Sequence, residues 1–334
     1  MRRLAAAMAV IGVGLAVGVP FVLGGNAVLD SLRNAGPQLF MILAGLSIVS
    51  GVAKAVKLQI LLISLGRRLP FLRTLAITFV TDFAFLSSPA GAAGYVVNLA
   101  LLRAAGTSWA VSTTVVGAEQ ALDLVFFAIA IPVAAISALV PLAHIVPTVP
   151  GTIYAVLLIL ALLVAFGLWY GRHFMVAALH NFVRSIPWFQ ARQNRIGKFV
   201  SELQEQINTL ANGTAKRIIA LLLLTALQWI IRYGVLWLAL LELGYHMPFG
   251  FVLVLQAVIL HLAQWTGIPA GGGSADLGLA AALGAWVKNP TLATALLLWR
   301  FSTLYVPLIV GALSMVVLTC TRRTNAIMTS ETRS

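Results

Sequence analysis

The chain has 334 residues, of which 60% are hydrophobic and only 9% are charged, and its mean hydropathy is +0.99. A soluble domain of this size needs a far larger share of charged residues at its surface, so this composition excludes one. The formal net charge of +13 lies mainly in a few stretches between apolar segments. That distribution is typical of loops facing anionic cytoplasmic lipid and argues against nucleic-acid binding. The single cysteine, Cys320, excludes a disulfide framework and a cysteine-based metal site.

Apolar runs of about 20 residues recur along the chain, and each is long enough to cross a hydrocarbon core of about 30 Å. The first run follows Arg2 and Arg3 and resembles a signal peptide, but it is longer than the apolar part of such a peptide, so we expect a retained helix. The six predicted spans are residues 4–24, 38–63, 110–138, 151–171, 217–243 and 291–318.

Two further apolar segments, 74–103 and 249–288, are each interrupted by the tripeptide Pro-Ala-Gly, and the two copies begin 180 residues apart. Such residues leave backbone groups unsatisfied in hydrocarbon, and matched interruptions in two halves of a membrane protein indicate a transporter's binding site. We predict two re-entrant helical hairpins, although their length also fits two full crossings each. The predicted hairpin tips are Pro89, Gly91 and Gly94 in the first and Pro269, Gly271, Gly272 and Gly273 in the second.

The placement of lysine and arginine predicts cytoplasmic N and C termini. Two repeats of opposite topology then follow, residues 1–138 and 150–320, joined by an outer loop, 139–149, and followed by a cytoplasmic tail, 321–334. The predicted fold is an all-α polytopic membrane protein with six transmembrane helices and two re-entrant hairpins in an inverted repeat. The alternative is a pair of unrelated glycine-rich kinks.

The second repeat contains a cytoplasmic insert, residues 172–216. Apolar residues recur in it at helical spacing, with Glu202, Glu205 and Gln206 on the opposite face. This pattern predicts an amphipathic helix at the membrane surface, and a partner-binding helix is the alternative. The apolar face comprises Ile196, Phe199, Val200, Leu203, Ile207 and Leu210.

Four cations and four anions lie within the predicted membrane segments, where charge is costly unless it faces a partner or a cavity. The cations are Lys54, Lys57, Arg232 and Arg300, and the anions are Asp82, Glu119, Asp123 and Asp276. Lys57 lies near a helix end, where its side chain can reach the interface. For Arg232 and Arg300, a structural ion pair and a ligand site are both open.

Glu119 and Asp123 are four residues apart and share one helical face. They are candidates for proton coupling, for neutralisation by Arg300 or Arg232, or for the carboxylates of a membrane enzyme. Glu119 follows Pro89 by 30 residues, and Arg300 follows Pro269 by 31. Superposed repeats would place these charges at equivalent depths around a central polar cavity. Helix N-termini at the hairpin tips would add N–H donors suited to an anionic head group such as a phosphate.

No sequence motif of an enzyme is present, and the five histidines lack metal-ligand spacing. We therefore expect no enzymatic activity, no metal and no cofactor.

Four ordered motifs resemble the membrane domain of the lysylphosphatidylglycerol synthase/flippase family. The motifs are Pro89–Gly94 followed by Leu101-Leu102-Arg103, the pair Glu119 and Asp123, the run Pro269–Asp276, and Trp299-Arg300 with Tyr305, Pro307 and Gly311. Gln120, Asp276 and Tyr95 depart from the usual family residues. The lysyl-transfer domain has no counterpart here, so the resemblance implies movement of a lipid between leaflets rather than aminoacyl transfer.

The predicted function is therefore a flippase of a bacterial inner membrane, moving a phospholipid, glycolipid or hopanoid-type lipid through a central polar cavity. Its partners would be lipids with an anionic head group, and a second copy or a lipid-synthesis enzyme is a further candidate partner. A lipid-modifying enzyme and a non-transporting scaffold are the alternatives. The predicted transport site comprises Glu119, Asp123, Arg300, Arg232, Asp276, Lys54, Asp82 and Tyr305.

Overall fold

A computed structural model describes residues 2–34, 36–142 and 193–331, and the regular elements in these ranges are helices. The predicted span 151–171, most of the predicted outer loop 139–149 and the first part of the insert 172–216 lie outside the described residues.

The first half of the chain forms six described helices and a short 3-10 turn. The helices are α1 (Arg2–Gly24), α2 (Ala27–Asn34), α3 (Gly36–Ser64), α4 (Phe71–Leu86), α5 (Ala92–Ala104) and α6 (Trp109–Leu142). The turn Pro89–Gly91, which we call the first turn, separates α4 from α5.

The second half contains six further described helices. They are α7 (Gln193–Ala211), α8 (Ala215–Glu242), α9 (Phe249–Gln264), α10 (Ser274–Leu283), α11 (Asn289–Arg300) and α12 (Val306–Glu331). The second turn, Pro269–Gly271, separates α9 from α10. A π-helical segment, Phe301–Tyr305, joins α11 to α12.

Four long apolar helices can cross a membrane, and they confirm four predicted spans. They are Gly36–Ser64, Trp109–Ala135, Ala215–Glu242 and Asn289–Cys320. The helix Arg2–Gly24 coincides with the segment predicted over 4–24, and a 103° bend after Gly24 leads into Ala27–Asn34, a helix that was not predicted. This bent pair counts as a fifth crossing only if both helices form one span. The chain is thus an all-helical polytopic membrane protein, while six spans with two re-entrant hairpins stay a prediction.

The elements around the two turns repeat along the chain. The helices α4 and α9 are both 16 residues long and both begin after a proline, Pro70 or Pro248. Two residues after the end of each preceding helix, α3 and α8, lies a glycine with positive φ, Gly66 or Gly244. In each case the next N–H reaches back to a carbonyl five residues earlier, as in a Schellman cap. Shared order and capping favour a repeated unit over unrelated kinks.

The described helices form two compact units. The first unit combines Met1–Ala55, Pro70–Asn98 and Leu227–Ser334, and the second combines Val56–Leu69 with Leu99–Ala226. In the first unit, α8, α10 and α11 bury a core that includes Leu236, Leu279 and Trp299. Both Pro-Ala-Gly turns therefore belong to one unit.

In the second unit, α7 packs against α6. Val200 and Leu203 are buried, whereas Glu202 and Glu205 are exposed. The amphipathic helix predicted within the insert is thus confirmed over Gln193–Ala211. Part of its apolar face is covered by protein. Its position at a membrane surface stays a prediction.

Candidate functional site

Three ion pairs hold charged residues of the predicted site. In the first unit, Lys54 bonds to Asp82, and Arg300 Nη2 lies 2.7 Å from Asp276 Oδ2. In the second unit, Lys57 Nζ lies 2.9 Å from Asp123 Oδ1. The Lys57 side chain is fully buried, so it does not reach the interface by snorkelling. A buried pair is costly to break, because removing one partner leaves an uncompensated charge.

Arg300 is the most completely bonded cation of the described chain. Its Nε donates to Asp276 Oδ1 at 2.8 Å, and its Nη2 donates to the other carboxylate oxygen. Nη1 donates to the carbonyl of Ala270 at 3.0 Å, and Nη2 also reaches the carbonyl of Gly271 at 3.2 Å. The guanidinium stacks on the Trp299 ring, 4.4 Å from its centroid. This planar, multidentate geometry ties α11 to the second turn.

Asp276 also completes the start of α10. Its Oδ2 accepts the backbone N–H of Gly273 at 3.0 Å, in the position of a capping box. The carboxylate therefore supplies the negative charge that a helix N-terminus attracts. Arg300 and Asp276 thus neutralise each other and form hydrogen bonds to the backbone of the turn. They form the structural ion pair that was one of the two possibilities for Arg300. Neither needs a ligand to be neutralised.

The first turn is held by different groups. Ser88 Oγ accepts the N–H of Ala93 at 3.1 Å, and the N–H of Gly91 bonds to the Ser88 carbonyl. A Cβ on Gly91 would lie 2.4 Å from the Phe85 ring, and one on Gly94 would lie 2.8 Å from Phe85 Cβ. These glycines make room for Phe85.

The glycines of the second turn make room for α1 and α9. A Cβ on Gly272 would lie 2.1 Å from the carbonyl oxygen of Gly12, and one on Gly273 would lie 3.0 Å from Leu15 Cβ. A Cβ on Gly271 would meet Ala263 at 3.0 Å. The close approach at these glycines is therefore made by protein. The two turns also pack against each other, so the predicted tip residues lie together.

A small cleft of about 20 Å³ lies within the first unit, between α3, α4, α8 and the region of the π-helical segment. The residues near it from α3, α8 and the π-helical segment fall close to the middle of three candidate spans. Binding sites of transporters commonly lie at this depth. The cleft is lined by Leu46, Ser47, Ser50, Gly51, Phe79, Asp82, Ile231, Arg232, Val235, Ser302, Thr303 and Pro307.

Arg232 is the cation of this cleft. Its guanidinium lies 5.8 Å from the centroid of the Trp229 ring on the same helix. Among the described residues it has no salt bridge, in contrast to Lys54, Lys57 and Arg300. Asp82 lines the same cleft but is bonded to Lys54. The cleft therefore contains a guanidinium whose charge no described carboxylate offsets.

Four hydroxyl residues of the cleft were not predicted from the sequence. Ser47 and Ser50 share a face of α3 at i, i+3 spacing, a signal that a search for polar residues in mid-span would have found. Ser302 and Thr303 lie in the π-helical segment. Such segments occur often at functional sites, but no feature of this sequence distinguishes it from ordinary helix.

The remaining predicted site residues do not line this cleft. Asp123 is held by Lys57 rather than by Arg300 or Arg232, and Glu119, one helical turn away in the same unit, is 3% exposed. Tyr305 packs near Ala270 in the first unit, and its hydroxyl is buried without a hydrogen-bond partner among the described residues. A single cavity enclosing all these residues stays a prediction.

Comparison with known proteins identifies the family. The sequence pattern of the lysylphosphatidylglycerol synthase TM region matches residues 9–311. A UPF0104 membrane protein of Archaeoglobus fulgidus is 25% identical over 269 residues, covering 78% of this chain and 80% of that relative. The family match includes both turns, the cleft and the Arg300–Asp276 pair. The chain therefore belongs to the lysylphosphatidylglycerol synthase TM region family, as its four motifs predicted.

Proposed function

We propose that this protein moves a lipid with an anionic head group between the leaflets of a membrane, and that the Arg232 cleft binds the head group. The observation that carries the proposal is an arginine near the middle of a span, lining a cleft without a salt bridge to a described carboxylate. An arginine at the bilayer centre costs about 3 kcal/mol or more. A bound phosphate would offset that cost through charge-assisted hydrogen bonds.

The composition of the cleft also supports an amphiphilic cargo. Its lining combines Arg232, Asp82 and four hydroxyl residues with apolar side chains such as Phe79 and Ile231. The cleft would have to widen to admit a polar head group, which would then lie against the hydroxyl residues while the acyl chains stay in lipid. The predicted alternating movement of two inverted repeats would then carry the head group across.

Transport accounts for this arrangement better than enzymatic catalysis does. Asp82, Asp123 and Asp276 are each bonded to a lysine or arginine. A carboxylate engaged in this way is a poor general base, because proton transfer would break its ion pair. We therefore propose that these three carboxylates do not act as general bases.

The positive loops support an orientation with cytoplasmic termini, and the membrane we propose is the inner membrane of a bacterium. Arg67 and Arg68 follow α3, Arg73 lies in the first turn of α4, and Lys216 and Arg217 lie at the start of α8. Loops rich in these residues stay on the cytoplasmic side.

The test is leaflet exchange in liposomes that contain the purified protein. Lipids with a fluorescent acyl chain and different head groups would be followed by chemical quenching of the outer leaflet. We expect exchange of anionic lipids to fall at least tenfold in Arg232→Gln. The matched control is Lys216→Gln, at the exposed start of the same helix, which should exchange normally. Equal exchange by wild type and Arg232→Gln would contradict the assignment of the site. No exchange of any lipid, with the protein folded and a proton gradient present, would contradict transport itself.

A further inference from the structure

The acidic side chains of the protein leave the charge of Arg232 without a partner. The sequence contains nine aspartates and glutamates, and all of them lie within the described ranges. None of them forms a salt bridge with Arg232, and its guanidinium makes no hydrogen bond to another described residue. An arginine at this depth is costly without a counter-charge, and no carboxylate side chain of the chain supplies one.

The cleft that Arg232 lines has the size of a single small ligand. Its volume is about 20 Å³. One water molecule needs about 10–15 Å³ on this measure, so one water-sized ligand fits. A phosphate, with four oxygens around its phosphorus, is too large for the cleft in this conformation. What neutralises Arg232 here must therefore be smaller than a lipid head group.

The charges around the cleft favour an anion over a cation. Arg232 and Asp82 both line the cleft, and Asp82 is bonded to Lys54. These three groups together carry one net positive charge, so one monovalent anion balances them. A bound sodium ion would instead increase the net positive charge at a depth where uncompensated charge is costly.

Two side chains of the cleft can donate hydrogen bonds to such an anion. Arg232 offers its guanidinium N–H groups, and the half-buried Ser47 hydroxyl makes no hydrogen bond to another described residue. The hydroxyl protons of Ser50, Ser302 and Thr303 are already used, because each donates to a backbone carbonyl. The donors for an anion are therefore Arg232 and Ser47.

We infer that the narrow cleft binds one small monovalent inorganic anion, such as chloride, between the Arg232 guanidinium and the Ser47 hydroxyl. The anion neutralises Arg232 while the cleft is too small for a head group, and it leaves when the cleft widens. That second step rests on the proposed function, because the head group would use the same guanidinium. Chloride and an anionic lipid therefore compete for Arg232, whereas chloride binding itself does not require transport.

The first test is thermal unfolding of the full chain in lipid-free detergent, with sodium gluconate replaced stepwise by sodium chloride at constant ionic strength. A ligand that binds only the folded state raises the unfolding midpoint as its concentration rises above its Kd. We expect chloride to raise the midpoint with a Kd in the millimolar range, and bromide to do the same. Sulfate, which is larger and doubly charged, should not. A midpoint that is the same in gluconate, chloride and bromide would overturn the inference.

Two substitutions test whether the halide binds in the cleft. Arg232→Gln should abolish the chloride dependence of the midpoint. Ser47→Ala should raise the Kd for chloride about tenfold, because it removes a charge-assisted hydrogen bond. Lys216→Gln is the matched control, since it removes a positive charge at the exposed start of the same helix and should keep the full dependence. If Arg232→Gln does not fold, Ser47→Ala still tests the site. Chloride dependence equal to wild type in the folded variants would overturn the assignment to the cleft.

Leaflet exchange in liposomes separates this inference from the proposed function. With chloride at ten times its Kd on both sides, exchange of an anionic lipid should be about tenfold slower than in gluconate, as competition for one site requires. Chloride-dependent stability without lipid exchange would support the anion site and contradict transport. Lipid exchange without chloride-dependent stability would support transport and overturn the anion site. Exchange at equal rates in both salts, by protein that binds chloride, would overturn the competition.

Discussion

The two Pro-Ala-Gly turns have the same backbone but different anchors. Ala90 has φ 50° and ψ 19°, and Ala270 has φ 53° and ψ 17°. Both alanines adopt the left-handed conformation, which costs a non-glycine residue about 1–2 kcal/mol. The glycine after each also has positive φ. The repeat thus extends to individual torsion angles.

The two turns differ in the residues that hold them. The second turn is bonded to Arg300 through two carbonyls, and α1 contacts it through Gly12. The first turn is capped by the Ser88 hydroxyl, and Ala90 is exposed. The two copies of the segment therefore share their torsion angles, while residues far away in the sequence determine how firmly each copy is held. We expect the second turn to be the more rigid of the two.

The largest test breaks the anchor of the second turn. Arg300→Leu leaves the Asp276 carboxylate buried and frees two turn carbonyls, so we expect a loss of about 3–5 kcal/mol in the free energy of unfolding. The thermal unfolding midpoint in detergent measures it. The double variant Arg300→Leu/Asp276→Leu should recover part of the loss, since no charge is left unpaired. A single variant as stable as wild type would contradict the anchoring role of Arg300.

The next test uses a difference between equivalent positions. Gly272 lies 180 residues after Ala92; Ala92 is exposed, whereas Gly272 faces the carbonyl of Gly12. We expect Gly272→Ala to cost about 1–3 kcal/mol, because the added methyl group must displace α1. Ala92→Gly, the matched exchange at the first turn, should cost about 1 kcal/mol or less. Equal thermal shifts for the two variants would show that α1 does not hold the second turn.

A smaller test removes the cap of the first turn. Ser88→Ala deletes the acceptor for the Ala93 N–H and should lower stability by about 1 kcal/mol. Ser88→Thr keeps a hydroxyl and should restore most of it. At the equivalent position the second turn has Ile268, which has no side-chain acceptor. If Ser88→Ala and Ser88→Thr unfold at the same temperature, the hydroxyl does not cap the turn.

The smallest test addresses the shared backbone. Ala90→Gly and Ala270→Gly each relieve the left-handed strain but increase the entropy of the unfolded chain, which offsets about 0.4–1 kcal/mol. We expect both variants to gain about 1 kcal/mol or less, by similar amounts. Thermal midpoints measured side by side would check this. A clear destabilisation at one turn alone would show that the two alanines are not equivalent.

Local patterns made much of the fold predictable. Four spans and the amphipathic helix followed from the length and periodicity of apolar runs, and the break in each hairpin followed from Pro-Ala-Gly. The helix Ala27–Asn34 after the bend was not predicted, because it is only eight residues long and contains Asp30 and Arg33. Part of the candidate site was also predictable, since any charge within a span needs a partner or a cavity.

The ion pairs between cations and carboxylates were not predictable from such local patterns. Lys54, Lys57, Arg232 and Arg300 look equivalent as cations in apolar sequence, yet three of them have carboxylate partners and Arg232 faces the cleft. Asp123 pairs with Lys57, 66 residues earlier, rather than with either arginine. The serines and the π-helical segment that complete the cleft gave no local signal of their shared position.

The sequence by itself determined that this is a helical membrane protein with a repeated, twice-broken architecture, and it identified the family. These properties depend on segment length, apolar composition and the backbone preferences of proline and glycine, which act over a few neighbouring residues. Only the tertiary structure decided which charges neutralise each other, which turn is anchored, and that Arg232 lines the cleft. Those outcomes depend on distances between residues far apart in the chain, and no local preference encodes them.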